Sequence, residues 1–287
     1  MSGPGRPSPD GEVPVRPANR TFAGADAIAA AFAAAPGRAA LMPYLMGGFP
    51  DVEASVAIGA ACADAGADLV ELGVPFSDPL ADGPVIHAAG TRALAAGASL
   101  HAILQAATRI AERVPVVLMC YANPLFARGA ERFARELAEA GVSGLIVPDL
   151  PLEEATEVRA ACDAAGLALV PLIAPTTPDD RLAEIAHGAR GFLYTVSVTG
   201  TTGERVAMQE TLAAVVARAK AHSPVPVAVG FGISTPAQAA AAAESGADGV
   251  IVGSRLVRAA TEAADAGEDP AAAVGALVAE LADALRR

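Results

Sequence analysis

Glu71 and Asp82 lie near each other in the chain but in different local settings, one in an apolar run and one in a loop. The run reads Asp68-Leu69-Val70-Glu71-Leu72-Gly73 and is of strand type. Side chains alternate along a strand, so Glu71 shares a face with Leu69 and opposes Val70 and Leu72. With Val70 and Leu72 against covering helices, Glu71 points into the interior. An ionised carboxylate buried there without a partner costs on the order of several kcal/mol. The other strand-type runs offer no obvious Lys or Arg to neutralise it. What remains is a carboxyl group whose pKa is raised by burial, which suits general acid–base work.

The loop that follows, Val74-Pro75-Phe76-Ser77-Asp78-Pro79-Leu80-Ala81-Asp82-Gly83-Pro84, holds three prolines and two aspartates. The prolines restrict the loop and hold it in a defined shape. Asp78 precedes a proline and reads as a turn residue. Asp82 stands where a helix N-cap would stand, before Gly83-Pro84. It also lies within reach of the cavity that Glu71 faces. Two carboxyl groups in different environments can divide acid and base roles between them.

The elements that must position this pair follow a regular alternation. Apolar runs rich in Val, Ile and Leu at 41–46, 68–72, 116–121, 144–147, 168–173, 192–197, 225–229 and 249–252 alternate with alanine-rich amphipathic stretches. Continuous apolar strands separated by helices indicate a parallel sheet covered by those helices. Eight such units predict a single (β/α)8 barrel of the TIM type over residues 21–287, with an extra helix at about 24–35 before the first strand. Helix starts are marked by Asp51, Ser99 and Thr235-Pro236, and helix ends by Gly66, Gly141, Gly166 and Gly246. The helix after the second strand is doubled, at 85–96 and 100–113, and a last helix runs from about 270 to the end. Residues 1–20, with Pro4, Pro7, Pro9, Pro14 and Pro17, read as a disordered tail.

A barrel of this kind works at the C-terminal ends of its strands. Two further segments fall there. The seventh strand ends in Gly230-Phe231-Gly232-Ile233-Ser234, and the eighth in Gly253-Ser254 just before a helix. Glycines that admit close backbone approach, beside a helix N-terminus, make a phosphate site. The sixth loop, from Val198 to Glu204, is rich in Thr and Gly and reads as a mobile lid.

Composition narrows the classes. The chain has 287 residues, 53% of them hydrophobic, and a formal charge of −12, which leaves no basic footprint for nucleic acid. No run is long enough to span a bilayer and no secretory signal is visible, so a cytoplasmic protein is expected. Cys62, Cys120 and Cys162, with His87, His101, His187 and His222, form neither a metal-ligand set nor a Cys–His pair.

The run from Val70 to Pro84 resembles the signature of the tryptophan synthase α subunit family. So do Met46-Gly47-Gly48-Phe49-Pro50, Tyr121-Ala122-Asn123-Pro124, Val147-Pro148-Asp149-Leu150-Pro151 and Ser197-Val198-Thr199-Gly200-Thr201-Thr202-Gly203. The resemblance covers nearly the whole chain outside the tail. It implies retro-aldol cleavage of indole-3-glycerol phosphate to indole and glyceraldehyde 3-phosphate, without metal or organic cofactor. By resemblance Glu71 is the acid–base group, Asp82 bonds the indole N–H, and Tyr194 lies near Glu71. Tyr44, Ile86, Tyr121 and Phe231 match positions around the indole. Gly203, Gly232, Gly253 and Ser254 match the phosphate site, and Thr202 matches a lid residue that contacts the aspartate. Core packing explains Tyr44 and Phe231 nearly as well. The implied partner is the tryptophan synthase β subunit in an αββα heterotetramer, with pyridoxal phosphate expected only in that subunit.

Three rival readings differ in testable ways. Another phosphate-binding barrel, such as indole-glycerol-phosphate synthase, needs a lysine on a barrel strand, whereas the lone Lys220 falls on an expected helix. A non-catalytic barrel subunit would be expected to lose one of the two carboxyl groups. An autonomous lyase releasing free indole would use the same site without the partner.

Overall fold

Each apolar run forms a parallel strand in the computed structural model, which describes residues 24–196, 205–230 and 232–286. The expected tail, the sixth-loop lid with Thr202 and Gly203, and Phe231 lie outside the described residues. The strands are β1 (Ala40–Met46), β2 (Val70–Gly73), β3 (Val116–Met119), β4 (Gly144–Ile146), β5 (Ala168–Leu169), β6 (Leu172–Ile173), β7 (Leu193–Val196), β8 (Val227–Gly230) and β9 (Gly249–Val252). The helices are α1 (Ala25–Ala33), α2 (Val52–Asp64), α3 (Pro84–Ala95), α4 (Leu100–Ala111), α5 (Ala122–Arg128) and α6 (Ala130–Glu139). They continue with α7 (Thr156–Ala164), α8 (Asp179–His187), α9 (Arg205–His222), α10 (Pro236–Glu244), α11 (Ser254–Ala266) and α12 (Pro270–Leu285).

The strand order is β5-β4-β3-β2-β1-β9-β8-β7-β6, all parallel. The sequence predicts one fifth strand over 168–173, and the structure divides it into β5 and β6. The division falls at Pro171, which has no N–H to give to a ladder. β5 pairs with β4 and β6 pairs with β7, so the ring closes through the two residues that join them. The alternation of faces survives the break: Ala168, Val170 and Leu172 all pack in the interior cluster.

Inside the ring, Met42, Leu69, Val117, Ile146, Phe192, Ala228 and Ile251 meet one another. The extra helix α1 stoppers one end, with Ile28 and Ala31 buried and Phe32 5.9 Å from the Phe192 ring. Outside, Val70, Leu72, Val116, Leu118, Val250 and Val252 pack against the helices in a larger core. Each fully buried side chain of this size contributes about 1.5–3 kcal/mol. α12 closes the outside by packing on α2 and α11.

The local signals act as the sequence leads one to expect. The Asp51 carboxylate accepts from Ala54 N at 2.8 Å, and Ser99 Oγ accepts from Ala102 N. Thr235 and Gln238 cap α10 reciprocally. Gly66, Gly141, Gly166 and Gly246 follow their helices with positive φ, as left-handed stops require. At the strand N-termini, Asp68 takes a bidentate bond from Arg38 and one from Leu41 N. At the same end, Asp248 takes bonds from Lys220 and Val227 N.

Candidate active site

Glu71 follows Leu69 by two residues in β2 and therefore shares its inward face. Its residue is only 1% exposed, and neither carboxylate oxygen has a hydrogen-bond partner. Burial alone pushes the Glu71 carboxyl up to about 8. Among the described residues there is no buried basic partner that would explain Glu71 structurally. In β1, Tyr44 is in register with Glu71. Tyr194 of β7 lies two residues beyond the inward Phe192, and its hydroxyl is held well up by burial and then by the charge of Glu71.

Two strand-end glycines make room for these tyrosines. A Cβ on Gly73 would overlap the Tyr44 hydroxyl, and one on Gly230 would lie 2.7 Å from the Tyr194 hydroxyl. Both glycines end a neighbouring strand, β2 beside β1 and β8 beside β7. Gly230, expected from the sequence to belong to a phosphate loop, and Gly73, without an expected role, thus both open space for a tyrosine hydroxyl. A glycine that ends a strand paired with a tyrosine-bearing neighbour was the available signal.

Asp82 does not cap a helix. Gly83 is the N-cap of α3, without a side-chain cap bond, and Asp82 Oδ1 instead accepts from the Tyr121 hydroxyl at 2.8 Å. That hydroxyl accepts in turn from Ala81 N at 3.0 Å, and the Tyr121 ring stacks on Phe76 at 5.2 Å between centroids. Tyr121 therefore ties the loop after β2 to the end of β3. Partial burial raises the Asp82 carboxyl, while the Tyr121 bond and the charge of His87 pull it down. Tyr44 feels Asp82, Glu71, Tyr121 and Tyr194 together, after the larger effect of its own burial, so these five groups lie near one another at the ends of the strands.

The remaining candidates divide. Ile86 is buried in the first turn of α3, close after Asp82 in the chain. Gly232 has a positive φ of 57° and lies exposed after β8. Gly253 is the N-cap of α11 and provides no side-chain cap bond; Ser254 opens that helix and is exposed. The contrast with α10 is informative, since Thr235 and Gln238 already bond the amides there. Of the helices after β8 and β9, α11 is the one whose N-terminus has no side-chain cap and suits an anion.

Asp149, in a motif without a stated role, accepts from Ala122 N at 2.8 Å and so fixes the start of α5 next to Tyr121. Lys220 sits at the opposite end of the ring, bonded to Gly246 O and Asp248. That placement removes it from any amine chemistry at the mouth. Among the described residues no group of His, Cys, Asp and Glu could hold a metal ion, and no helix is long and apolar enough to cross a membrane. Cys62, Cys120 and Cys162 are free thiols, all buried.

Fold and site together define a (β/α)8-barrel protein with two carboxyl groups at the C-terminal ends of its strands. The chain belongs to the tryptophan synthase alpha chain family, whose model matches residues 31–286. It is 53% identical over 232 residues to the tryptophan synthase alpha chain of Prochlorococcus marinus (strain MIT 9313), covering 80% of this chain and 84% of that one. Among solved structures, tryptophan synthase from Mycobacterium tuberculosis superposes with a TM-score of 0.82 at 41% identity, over 91% of this chain and 98% of the other. The alpha subunit from Legionella pneumophila str. Paris superposes at 0.83 with 39% identity, over 90% and 98%.

Proposed function

We propose that this chain, as the α subunit of a tryptophan synthase, cleaves indole-3-glycerol phosphate to indole and glyceraldehyde 3-phosphate by a retro-aldol reaction. The observation that carries the reading is the buried Glu71 carboxyl, without a hydrogen-bond partner and with both it and Asp82 close enough to Tyr44 to act on its hydroxyl.

With its pKa near 8, Glu71 is largely protonated at neutral pH. It gives that proton to indole C3, which leaves a cationic indolenine. Asp82, ionised and beside the ring N–H, stabilises that cation. Glu71, now a carboxylate, takes the proton from the glycerol hydroxyl next to C3. The carbon–carbon bond then breaks, its electron pair returns to the ring to form indole, and the alcohol carbon becomes the aldehyde. One group serves as acid and then as base, which a pKa near the working pH permits. Tyr194 sits beside Glu71 and keeps its surroundings dry.

Tyr44, Ile86, Tyr121 and Phe231 enclose the indole, although Tyr121 serves first as the clamp on Asp82. Gly232, Gly253 and Ser254 hold the phosphate with Gly203 of the lid, and Thr202 meets Asp82 when the lid closes. The chain uses no metal or organic cofactor of its own. Residues 21–287 act as one catalytic barrel in the cytoplasm, with residues 1–20 as an extension.

The partner is a β subunit in an αββα assembly, which carries pyridoxal phosphate and receives the indole. Two exposed apolar side chains at the mouth support a covering partner: Leu80 in the loop after β2 is 90% exposed, and Phe126 of α5 is 48% exposed.

Indole release by the purified chain, with and without a β subunit and alongside Glu71→Gln, tests the reading. Slow release that rises with the partner and vanishes in the variant is expected. Fast release without a partner would instead mark an autonomous lyase, and no release under either condition would end the assignment.

A further inference from the structure

A second pocket lies on the outside of the ring, between α7 and α8, where the fifth strand is broken at Pro171. Its volume is about 430 Å³, within the range that small-molecule sites occupy. Leu150, Leu152, Leu169 and Ile185 give it apolar walls, and Arg159 and Arg181 bring two guanidinium groups to it.

The two arginines differ in what they already hold. Arg181 bonds Glu153 and Glu184 at 2.7 and 2.9 Å, so its charge is met. Among the described residues the Arg159 side chain has no hydrogen bond or ion pair, although the residue is half-buried. Its guanidinium lies against Gly188, where a Cβ would collide with Nη1. Glycine at that position leaves room for the head group between the helices. A guanidinium presents a planar fork of donors that fits one carboxylate in bidentate fashion.

The geometry points to a binding site for a small monocarboxylate with an apolar body. Its head would pair with Arg159 and its body would lie on the leucine and isoleucine walls. A dianionic phosphate fits less well, because Asp149 and the two glutamates on Arg181 add negative charge around the single unmatched cation. The site is separate from the catalytic cavity but shares supports with it. Pro171 O accepts from Tyr194 N at 3.0 Å, and Asp149 fixes the start of α5 beside Tyr121.

The full chain is titrated with 4-fluorobenzoate and followed by fluorine NMR, with glycerol 3-phosphate at saturation to fill the catalytic phosphate site. Saturable binding is expected, at least tenfold weaker in Arg159→Ala and at least tenfold weaker for the neutral 4-fluorobenzamide. Gly188→Val, which displaces the guanidinium, should lower the affinity similarly. No binding to the native chain, equal affinity in Arg159→Ala, or displacement by glycerol 3-phosphate would overturn the assignment. Should Arg159→Ala fail to fold, the acid-against-amide comparison on the native chain decides the matter by itself.

Discussion

The Tyr121 hydroxyl donates to Asp82 Oδ1 at 2.8 Å while accepting from Ala81 N, so one side chain from the end of β3 fixes both the position and the charge of an aspartate after β2. A hydrogen bond to a charged group is worth about 1.5–3 kcal/mol, and 1.4 kcal/mol is a factor of ten in rate. Tyr121→Phe should therefore lower kcat about tenfold or more. The bond favours the Asp82 carboxylate, so its loss moves that carboxyl further up. The acid limb of the kcat profile should shift to higher pH in the variant. A profile with unchanged limbs and rate would show that Tyr121 does no more than line the cavity.

Glu71 couples the site to stability. Its carboxyl stands at about 8 when folded against an ordinary value near 4.5. Between those values the folded chain binds a proton that the unfolded chain releases, so stability falls as pH rises through the window. The penalty is absent below about 4.5 and complete above about 8, on the order of several kcal/mol. Glu71→Gln removes the titrating group, so it should be inactive yet melt higher than the native chain at pH 8 and close to it at pH 4.5. Parallel Tm–pH curves for the two proteins would contradict the assigned burial.

Alternation along one strand was enough to turn Glu71 inward, because Leu69, Val70 and Leu72 define the two faces locally. The caps at Asp51, Ser99 and Thr235 were readable for the same reason, as each bond spans three residues. The Tyr121–Asp82 bond joins residues far apart in sequence and exists only because β2 and β3 are neighbours. The resemblance thus singles out Asp82, while its support by Tyr121 could not be read from the sequence. The break at Pro171 was readable in principle, since proline gives no N–H to a ladder, but the apolar run around it hid the signal.

Gly73 and Tyr44 should behave as one unit. A methyl group at Gly73 would overlap the Tyr44 hydroxyl, and Tyr44 faces both Glu71 and Asp82. Gly73→Ala is expected to cost about 1–3 kcal/mol of stability, in the range of overpacked cores, with a larger fractional loss of kcat. Tyr44→Phe removes the nearest of the overlapping atoms and leaves the ring Cζ at 2.7 Å, so the relief is partial. The double variant should recover stability relative to Gly73→Ala, giving an interaction energy of about 1 kcal/mol or more in a double-mutant cycle. Strict additivity would mean that the chain relaxes around the methyl without moving Tyr44.

At Ser254, stability and substrate affinity should move in opposite directions. The residue opens α11, is exposed, and follows a glycine N-cap that makes no side-chain bond; the first turn carries no acidic residue. A carboxylate placed there meets the partial positive charge of the helix N-terminus and should stabilise the fold by about 0.3–1 kcal/mol. The same charge would repel a phosphate bound at those amides. Ser254→Asp should therefore raise Tm slightly while raising KM at least tenfold, with a smaller effect on kcat because the reacting carbons lie near Glu71 instead. A variant that simply failed to fold well would lower Tm and leave KM of the folded fraction alone. A higher Tm with unchanged KM would place the phosphate elsewhere on the barrel mouth.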